Sequence, residues 1–335
     1  MELNDDRQPA TRKIQVTGGS TYTVSLPKEW ASQQDIEPGN EVQLYPRDDH
    51  LLVSHGDYAE RRREIEIDSD GREAEDLSRS VAAAYIAGCD EIRVEGVMDN
   101  RQRRGVRDAV AGLVGIEIHE EGDGYIVART MLDVGDLSPE QTVVQMKLTA
   151  LGMHEDAVSA VLHSDDDKAR RIQRQDDDVD RLFGLICREF QRGLVDVGVD
   201  MHHDGLTKFE YYTTARQLER IGDHAERIAT AAERTPGEPP EDLRSRIQEV
   251  SDEAREIVER AVEGVLEGKN AAELGSIVVD AETLTEETEE LHRELYETDE
   301  VDGYHLGTVV DSITRTAEYG VNVAEAGLQV AMRSE

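Results

Sequence analysis

The sequence predicts a multidomain chain: a small strand-rich front, a short α/β segment, and a long all-α region. Three observations carry this expectation. Between Thr11 and Val53 apolar residues alternate at period two and are interrupted by Gly and Pro. From Glu64 to Thr130 strand-like and helix-like runs alternate. From Ser138 onward apolar residues recur at steps of three and four through six segments. The expected divisions are residues 1–55, 56–135, 136–236 and 237–335.

In the front segment, Ile14 and Val16 followed by Tyr22, Val24 and Leu26 read as two short strands, with Gly18-Gly19-Ser20 as the tight turn. Pro27 opens a short helix over Lys28 to Gln33, and Glu37-Pro38-Gly39-Asn40 turns the chain. Val42, Leu44 and Leu51, Val53 then form a second hairpin across Arg47 to His50. So short a unit cannot bury much of a core, so a homodimer follows from size alone. Between Thr11 and Trp30 the cations Arg12, Lys13 and Lys28 outnumber the lone anion Glu29, which makes this the place for a duplex DNA backbone to approach. The alternative is that they are strand-edge charges that discourage aggregation.

That local surplus stands out because the 335-residue chain holds 74 Asp plus Glu against 37 Lys plus Arg, a formal charge of −37. With only 38% apolar residues such a balance could mean disorder, but the apolar residues fall in clean periods. A folded protein with a very acidic solvated surface is the better reading. Scarce lysines (Lys13, Lys28, Lys147, Lys168, Lys208 and Lys269) fit proteins that work at high internal salt. A melting temperature that rises steeply with KCl is expected, and a shallow dependence would contradict the reading. Cys89 and Cys187 lie far apart, so a disulfide framework is not expected and a reducing cytoplasm is. No window approaches the roughly 20 apolar residues of a spanning helix.

His55 to Arg63, with its arginine triplet, reads as a solvated connector balanced by Glu60 and Glu64. The segment after it is expected to run strand (Glu64 to Ile67), helix (Glu73 to Ala87), strand (Glu91 to Glu95), helix (Asn100 to Val114) and a closing strand pair (Ile116 to His119, Tyr125 to Thr130). Gly-rich phosphate loops are absent after both early strands, so a spacer or dimerisation role is expected. Arg101, Arg103, Arg104 and Arg107 are expected on a solvated helix face.

Ser138-Pro139-Glu140-Gln141 signals a helix start, with Ser138 as cap. Six helices are expected near 138–163, 165–196, 206–234, 239–267, 270–298 and 305–333, and the Pro-rich break at Pro236 to Pro240 divides them into two triplets. Arg216, Glu219 and Asp223 of the third recur as Arg315, Glu318 and Asn322 of the sixth at one constant offset, the mark of a duplication. On the third helix Leu218, Ile221, Ala225 and Ile228 form the apolar stripe, and Glu219 and Asp223, four apart, share a face beside it. Two carboxylates one turn apart need a cation: either Arg216, Arg220 and Arg227, or a metal ion. Spacing alone decides nothing, since roughly 16 acidic pairs four apart arise by chance at this composition.

Asp176 and Asp180 repeat that spacing on the second helix. Facing each other across a bundle, the four carboxylates offer up to about eight oxygens, suited to a hard cation such as Mg²⁺, Mn²⁺ or Fe³⁺, with Zn²⁺ a further candidate. The alternative is another acidic face. In the second triplet Asn322 replaces the acid, with Asp280 and Glu282 as uncertain substitutes. His224 is expected on the surface rather than as a ligand, and the lone Glu289-x-x-His292 falls short of a di-iron set. No nucleophile, base and orienter set is found, so catalysis is not expected.

Leu218-Glu219-Arg220-Ile221-Gly222-Asp223-His224-Ala225 closely resembles the signature helix of the PhoU family of phosphate-homeostasis regulators. The resemblance implies tandem three-helix bundles with metal motifs at Asp176, Asp180, Glu219 and Asp223. Gly18 to Trp30 with its Ser-Leu-Pro-Lys-Glu-Trp run, followed by Ile36-Glu37-Pro38-Gly39-Asn40, resembles the AbrB/MazE/SpoVT family of DNA-binding domains. That likeness implies a swapped-hairpin β-barrel made by two chains and contact with duplex DNA. Together they imply a cytoplasmic, dimeric, DNA-binding negative regulator of phosphate uptake. Two alternatives stand beside it: a non-DNA-binding adaptor docked on the ATPase of a phosphate ABC transporter, and a di-metal carboxylate oxidase.

Overall fold

Period-two alternation at the front yields two separate antiparallel hairpins. Strands β1 (Gln15–Thr17) and β2 (Thr21–Thr23) pair with Val16 opposite Tyr22, and β3 (Val42–Pro46) pairs with β4 (Leu51–His55) with Leu44 opposite Val53. Between them lies the short helix α1 (Lys28–Gln33), opened by Pro27. Gly18 and Gly19 take φ of +64° and +82°, the left-handed values the first turn requires. The computed structural model describes residues 10–19, 21–46, 51–55, 62–96, 98–131, 138–195, 205–235, 237–297 and 303–334. The expected turn residues Ser20 and Arg47 to His50, linker residues 56–61, and loop residues 196–204 and 298–302 lie outside them.

The chain divides into two units, Met1–Arg61 and Arg62–Glu335. In the first, the described strands form two-stranded sheets and no closed barrel; the expected barrel is one made by two chains. The physical reason is visible in the burial: no described apolar residue before Ile67 is buried. Cross-strand pairing puts Val16 and Tyr22 on one face, and alternation adds Ile14 and Val24 to it. This face is open to solvent, with Val16 63% and Tyr22 79% exposed.

The second unit begins with the expected βαβαββ order: β5 (Glu64–Asp68), α2 (Ala74–Ile86), β6 (Glu91–Glu95), α3 (Asn100–Ala111), β7 (Ile116–Gly122) and β8 (Tyr125–Thr130). The sheet order is β5-β6-β8-β7, with β5 and β6 parallel and the rest antiparallel. The two helices cover one face, where Leu77, Val81, Tyr85, Ile92, Val106 and Ile126 form the core. Asp99 caps α3 in a reciprocal box with Gln102. Arg103 and Arg107 both pair with Glu121 of β7; Arg103 is drawn in against the sheet, whereas Arg107, 52% exposed, stays on the solvated face expected for it.

Six helices follow: α4 (Pro139–His163), α5 (Asp166–Val195), α6 (Lys208–Ala232), α7 (Glu241–Glu267), α8 (Ala271–Glu297) and α9 (Gly303–Ser334). Ser138 caps α4 by accepting from the Gln141 N–H, as the sequence implies. Helices α4, α5 and α6 pack as one triplet and α7, α8 and α9 as another, and α6 lies on α9. One apolar core runs through both, from Val143 and Leu218 to Ile257 and Val323. Among the described residues no helix is long and apolar enough to cross a membrane.

The duplication is legible in the ion pairs. Arg216 reaches Glu219 at 3.2 Å on α6, and Arg315 reaches Glu318 at 2.6 Å on α9. The copies then diverge, because α6 and α9 present polar groups to each other. Asn322 donates to Gln217 Oε1 at 3.2 Å, and His224 Nε2 lies 3.2 Å from the Tyr319 hydroxyl. His224 is only 8% exposed, so the surface position expected for it is overturned: it is a wall residue between the triplets.

Candidate acidic site between helices α5 and α6

Antiparallel packing brings the four sequence-predicted carboxylates to one place. Asp176 and Asp180 sit one turn apart on α5, and Glu219 and Asp223 one turn apart on α6. Contact is close because Gly222 has no side chain: a Cβ there would stand 3.1 Å from Asp176 Oδ1. Below the acids the two helices are zipped by rings, with Phe183 6.1 Å and Phe190 4.7 Å from Tyr212. Asp180 and Asp223 are exposed while Asp176 and Glu219 are half-buried, so the cluster opens on the bundle surface.

The electrostatics show that the cluster is short of positive charge. Burial first, then Asp180, Asp223, Glu226 and Asp177, push the Asp176 carboxyl up to about 7. Burial and then Asp223, Asp177 and Glu226 raise Asp180. Glu219 is raised by burial against the opposing field of Arg216, and Asp223 by burial against Arg216 and Arg220. Of the three arginines expected to serve as counter-charges, Arg216 alone bonds a cluster carboxylate, at Glu219 Oε1. Arg220 instead lies over the Tyr319 ring at 5.7 Å. Glu219 Oε2 is buried with no hydrogen-bond partner among the described residues.

The donor types are those a hard cation takes: four carboxylates on two packed helices, with space at Gly222 and an orphaned acceptor oxygen. Among the described residues, however, no group of three or more His, Cys, Asp or Glu side chains stands arranged to hold a metal ion. In the second triplet the counterpart positions are otherwise engaged. Asn322 is engaged with Gln217, and Asp280 is paired with Arg260 at 2.7 Å.

A pH-dependent stability follows. The folded-state value of Asp176 lies above its ordinary 3.8, so this group's contribution is fully present below 3.8 and is lost as pH rises through about 7. Asp176→Asn should therefore leave the melting temperature unchanged near pH 4 and raise it at pH 8. After discounting for solvent screening the gain is about 1–2 kcal/mol. Thermal denaturation at the two pH values in chelated buffer checks this.

The front cations stand elsewhere. Arg12 and Lys13 precede β1, Lys28 opens α1, and all three are exposed with no ion pair among the described residues. Sequence reasoning missed a second charged centre, where α5 meets the α/β part. Arg188, 1% exposed, donates to the Tyr85 and Cys89 carbonyls at 2.8 and 2.7 Å and to Asp90 Oδ1 at 2.8 Å. Its guanidinium also lies 4.9 Å from the centre of the Tyr85 ring. The one available signal was an arginine at the four-residue spacing Asp176, Asp180, Gly184, Arg188, Arg192.

Comparison with known proteins agrees with this architecture. The model of the PhoU domain family matches residues 143–232, and that of the antidote-toxin recognition MazE family of bacterial antitoxins matches residues 15–55. Among curated proteins none matches significantly. The crystal structure of PhoU from Pseudomonas aeruginosa superposes with a TM-score of 0.51 at 20% identity, covering 58% of this chain and 95% of that one. The phosphate transport system regulatory protein PhoU from Streptococcus pneumoniae gives 0.51 at 17% identity, covering 57% and 92%. At these identities the likeness is one of fold. The chain thus carries a PhoU domain at residues 143–232, in a helical region resembling PhoU bundles, behind a MazE-type segment at residues 15–55.

Proposed function

We propose that the protein is a dimeric, DNA-binding negative regulator of phosphate uptake whose helical part senses or relays cellular phosphate status. The observation that carries this is the joining, in one chain, of a MazE-type segment to a PhoU-type helical region. A regulator so built can act on promoters without an intervening kinase. Two copies would cover each other's open hairpin faces, completing a barrel that presents Arg12, Lys13 and Lys28 to duplex DNA. Asp176, Asp180, Glu219 and Asp223 would hold a hard cation such as Mg²⁺, Mn²⁺ or iron, or Zn²⁺, which would neutralise their mutual repulsion. The chain's own share is to hold these acids on two helices zipped together by Phe183, Phe190 and Tyr212.

The test is alanine at Arg12, Lys13 and Lys28 together, expressed in place of the native protein. Transcripts for phosphate-transport genes should rise in phosphate-replete cells by about tenfold or more, because each lost cation weakens the phosphate contact. Unchanged regulation would favour the adaptor docked on a phosphate ABC transporter ATPase. Iron-dependent O₂ consumption lost with Glu219→Ala would instead mark a di-metal oxidase.

A further inference from the structure

The sheet of the α/β part has two edges that differ in kind. At one, β7 carries a bulge, its register to β8 shifting between Ile118 and Glu120, and such a kink discourages a further strand. At the other, β5 is regular: all five of its residues pair in parallel with β6, from Glu64 opposite Glu91 to Asp68 opposite Glu95. Backbone groups of alternate residues point to the same side of a strand. The Arg63 carbonyl accepts the Asp90 and Glu91 N–H groups at 2.7 and 3.1 Å, and the Ser69 N–H donates to the Glu95 carbonyl at 2.8 Å, so the odd-numbered residues face β6. The N–H and C=O groups of Glu64, Glu66 and Asp68 therefore point away from the sheet, where no described strand meets them.

Beside this edge lies an open groove of about 600 Å³ between β5 and α2. It stays open because α2 borders it with small side chains, Ser80, Ala83 and Ala87, three and four residues apart on one face. Ile65 lines it and is 40% exposed, whereas Ile67 is buried in the core. The alternate side chains of β5, those of Glu64, Glu66 and Asp68, lie together on the helix-free face and are exposed. None of the three forms an ion pair among the described residues, whereas their neighbours on β6 do: Glu91 holds Arg129 at 2.6 Å, and Arg93 holds Glu95.

We propose that β5 is a docking edge for an extended segment of another protein, one that alternates lysine or arginine with apolar residues. Hydrogen-bonded to Glu64, Glu66 and Asp68 as a fifth strand, such a segment turns its apolar side chains into the groove beside Ile65 and Ala83 and its cations over the three acids. Charge selects this occupant over a second copy of the chain. Antiparallel pairing of β5 with itself, apolar residues toward the groove, sets Glu66 against Glu66 and Glu64 against Asp68, and like charges directly opposite are destabilising. This surface involves neither the front cations nor the α5–α6 carboxylates, so a partner can dock here whether or not the front unit binds DNA.

The test uses the full chain and a fluorescent peptide of about eight residues, a strand's length, alternating lysine and valine. Fluorescence anisotropy at fixed KCl should show it binding at least about tenfold more tightly than a peptide of the same composition with its lysines in one block. Methylating every second backbone nitrogen of the peptide should abolish binding in one phase and spare it in the other, since only alternate N–H groups face β5. On the protein, Ala83→Arg fills the groove from an exposed helix position, and Glu66→Pro removes one outward N–H while sparing the ladder to β6. Each should weaken binding by about tenfold or more, and Glu66→Gln, which keeps the N–H, by less. The variants lie on different elements and the methylated peptides leave the protein untouched, which guards against a folding defect. Equal affinity for the block peptide, loss of the period-two dependence on methylation, or no binding at all overturns the proposal. A peptide-free chain whose mass by light scattering falls with Glu66→Pro would show that a second copy occupies the edge, and overturns it equally.

Discussion

Replacing Arg188 by methionine lowers the melting temperature of the full chain by about 6–10 °C. Removing one partner of a buried ion pair costs about 3–5 kcal/mol, and the lower end applies because Arg192 still contacts Asp90. For a unit of this size each kcal/mol is worth about 2–4 °C. Methionine fills the space of the arginine stem but donates nothing, so the Cys89 carbonyl loses its arginine donor and the Tyr85 carbonyl keeps only the Gly88 N–H. Arg188→Lys should fall between the two, since one ammonium cannot span two carbonyls and a carboxylate in the guanidinium's fork geometry. Scanning calorimetry checks this, and a shift under about 2 °C would show that α5 and the α/β part are held by apolar contacts alone.

Val16→Asp combined with Tyr22→Asp halves the mass of the protein in solution while leaving its helical circular dichroism and melting intact. The two residues are opposite partners in the first hairpin and both are exposed in the single chain, so the substitution removes no intrachain core. It does place two carboxylates in the face that a second copy would cover. Burying unpaired charges at an interface costs several kcal/mol, enough to move a micromolar dimer to monomer at ordinary concentrations. Size-exclusion chromatography with light scattering reads the mass directly. A dimer that survives would place the association surface in the helical or α/β part.

Much of the fold is legible in the sequence because most elements obey one period throughout. The six helices, the βαβαββ order and both hairpins fall within a few residues of their expected bounds. The acidic quartet is legible for the same reason: the four-residue spacing fixes which carboxylates share a face, and the antiparallel packing of α5 on α6 does the rest. What escapes the sequence depends on which face meets which. His224 looks like a surface residue until α9 packs against it through Tyr319. Asn322 reads as a failed copy of Asp223 until Gln217 supplies its partner. Arg63 and Asp90 look like charges of a linker and a strand end, and only the tertiary structure joins them through Arg188 and Arg192. The open hairpins escape for the converse reason, since a single chain cannot show the partner that would close them.

The most direct test of the central claim is chromatin immunoprecipitation of the tagged full chain in phosphate-replete and phosphate-starved cells, beside the variant with alanine at Arg12, Lys13 and Lys28. Peaks at phosphate-transport promoters that change with phosphate and are lost in the variant are expected. Chromatin without such peaks in either condition, with a transporter ATPase recovered alongside the wild-type protein, would contradict it.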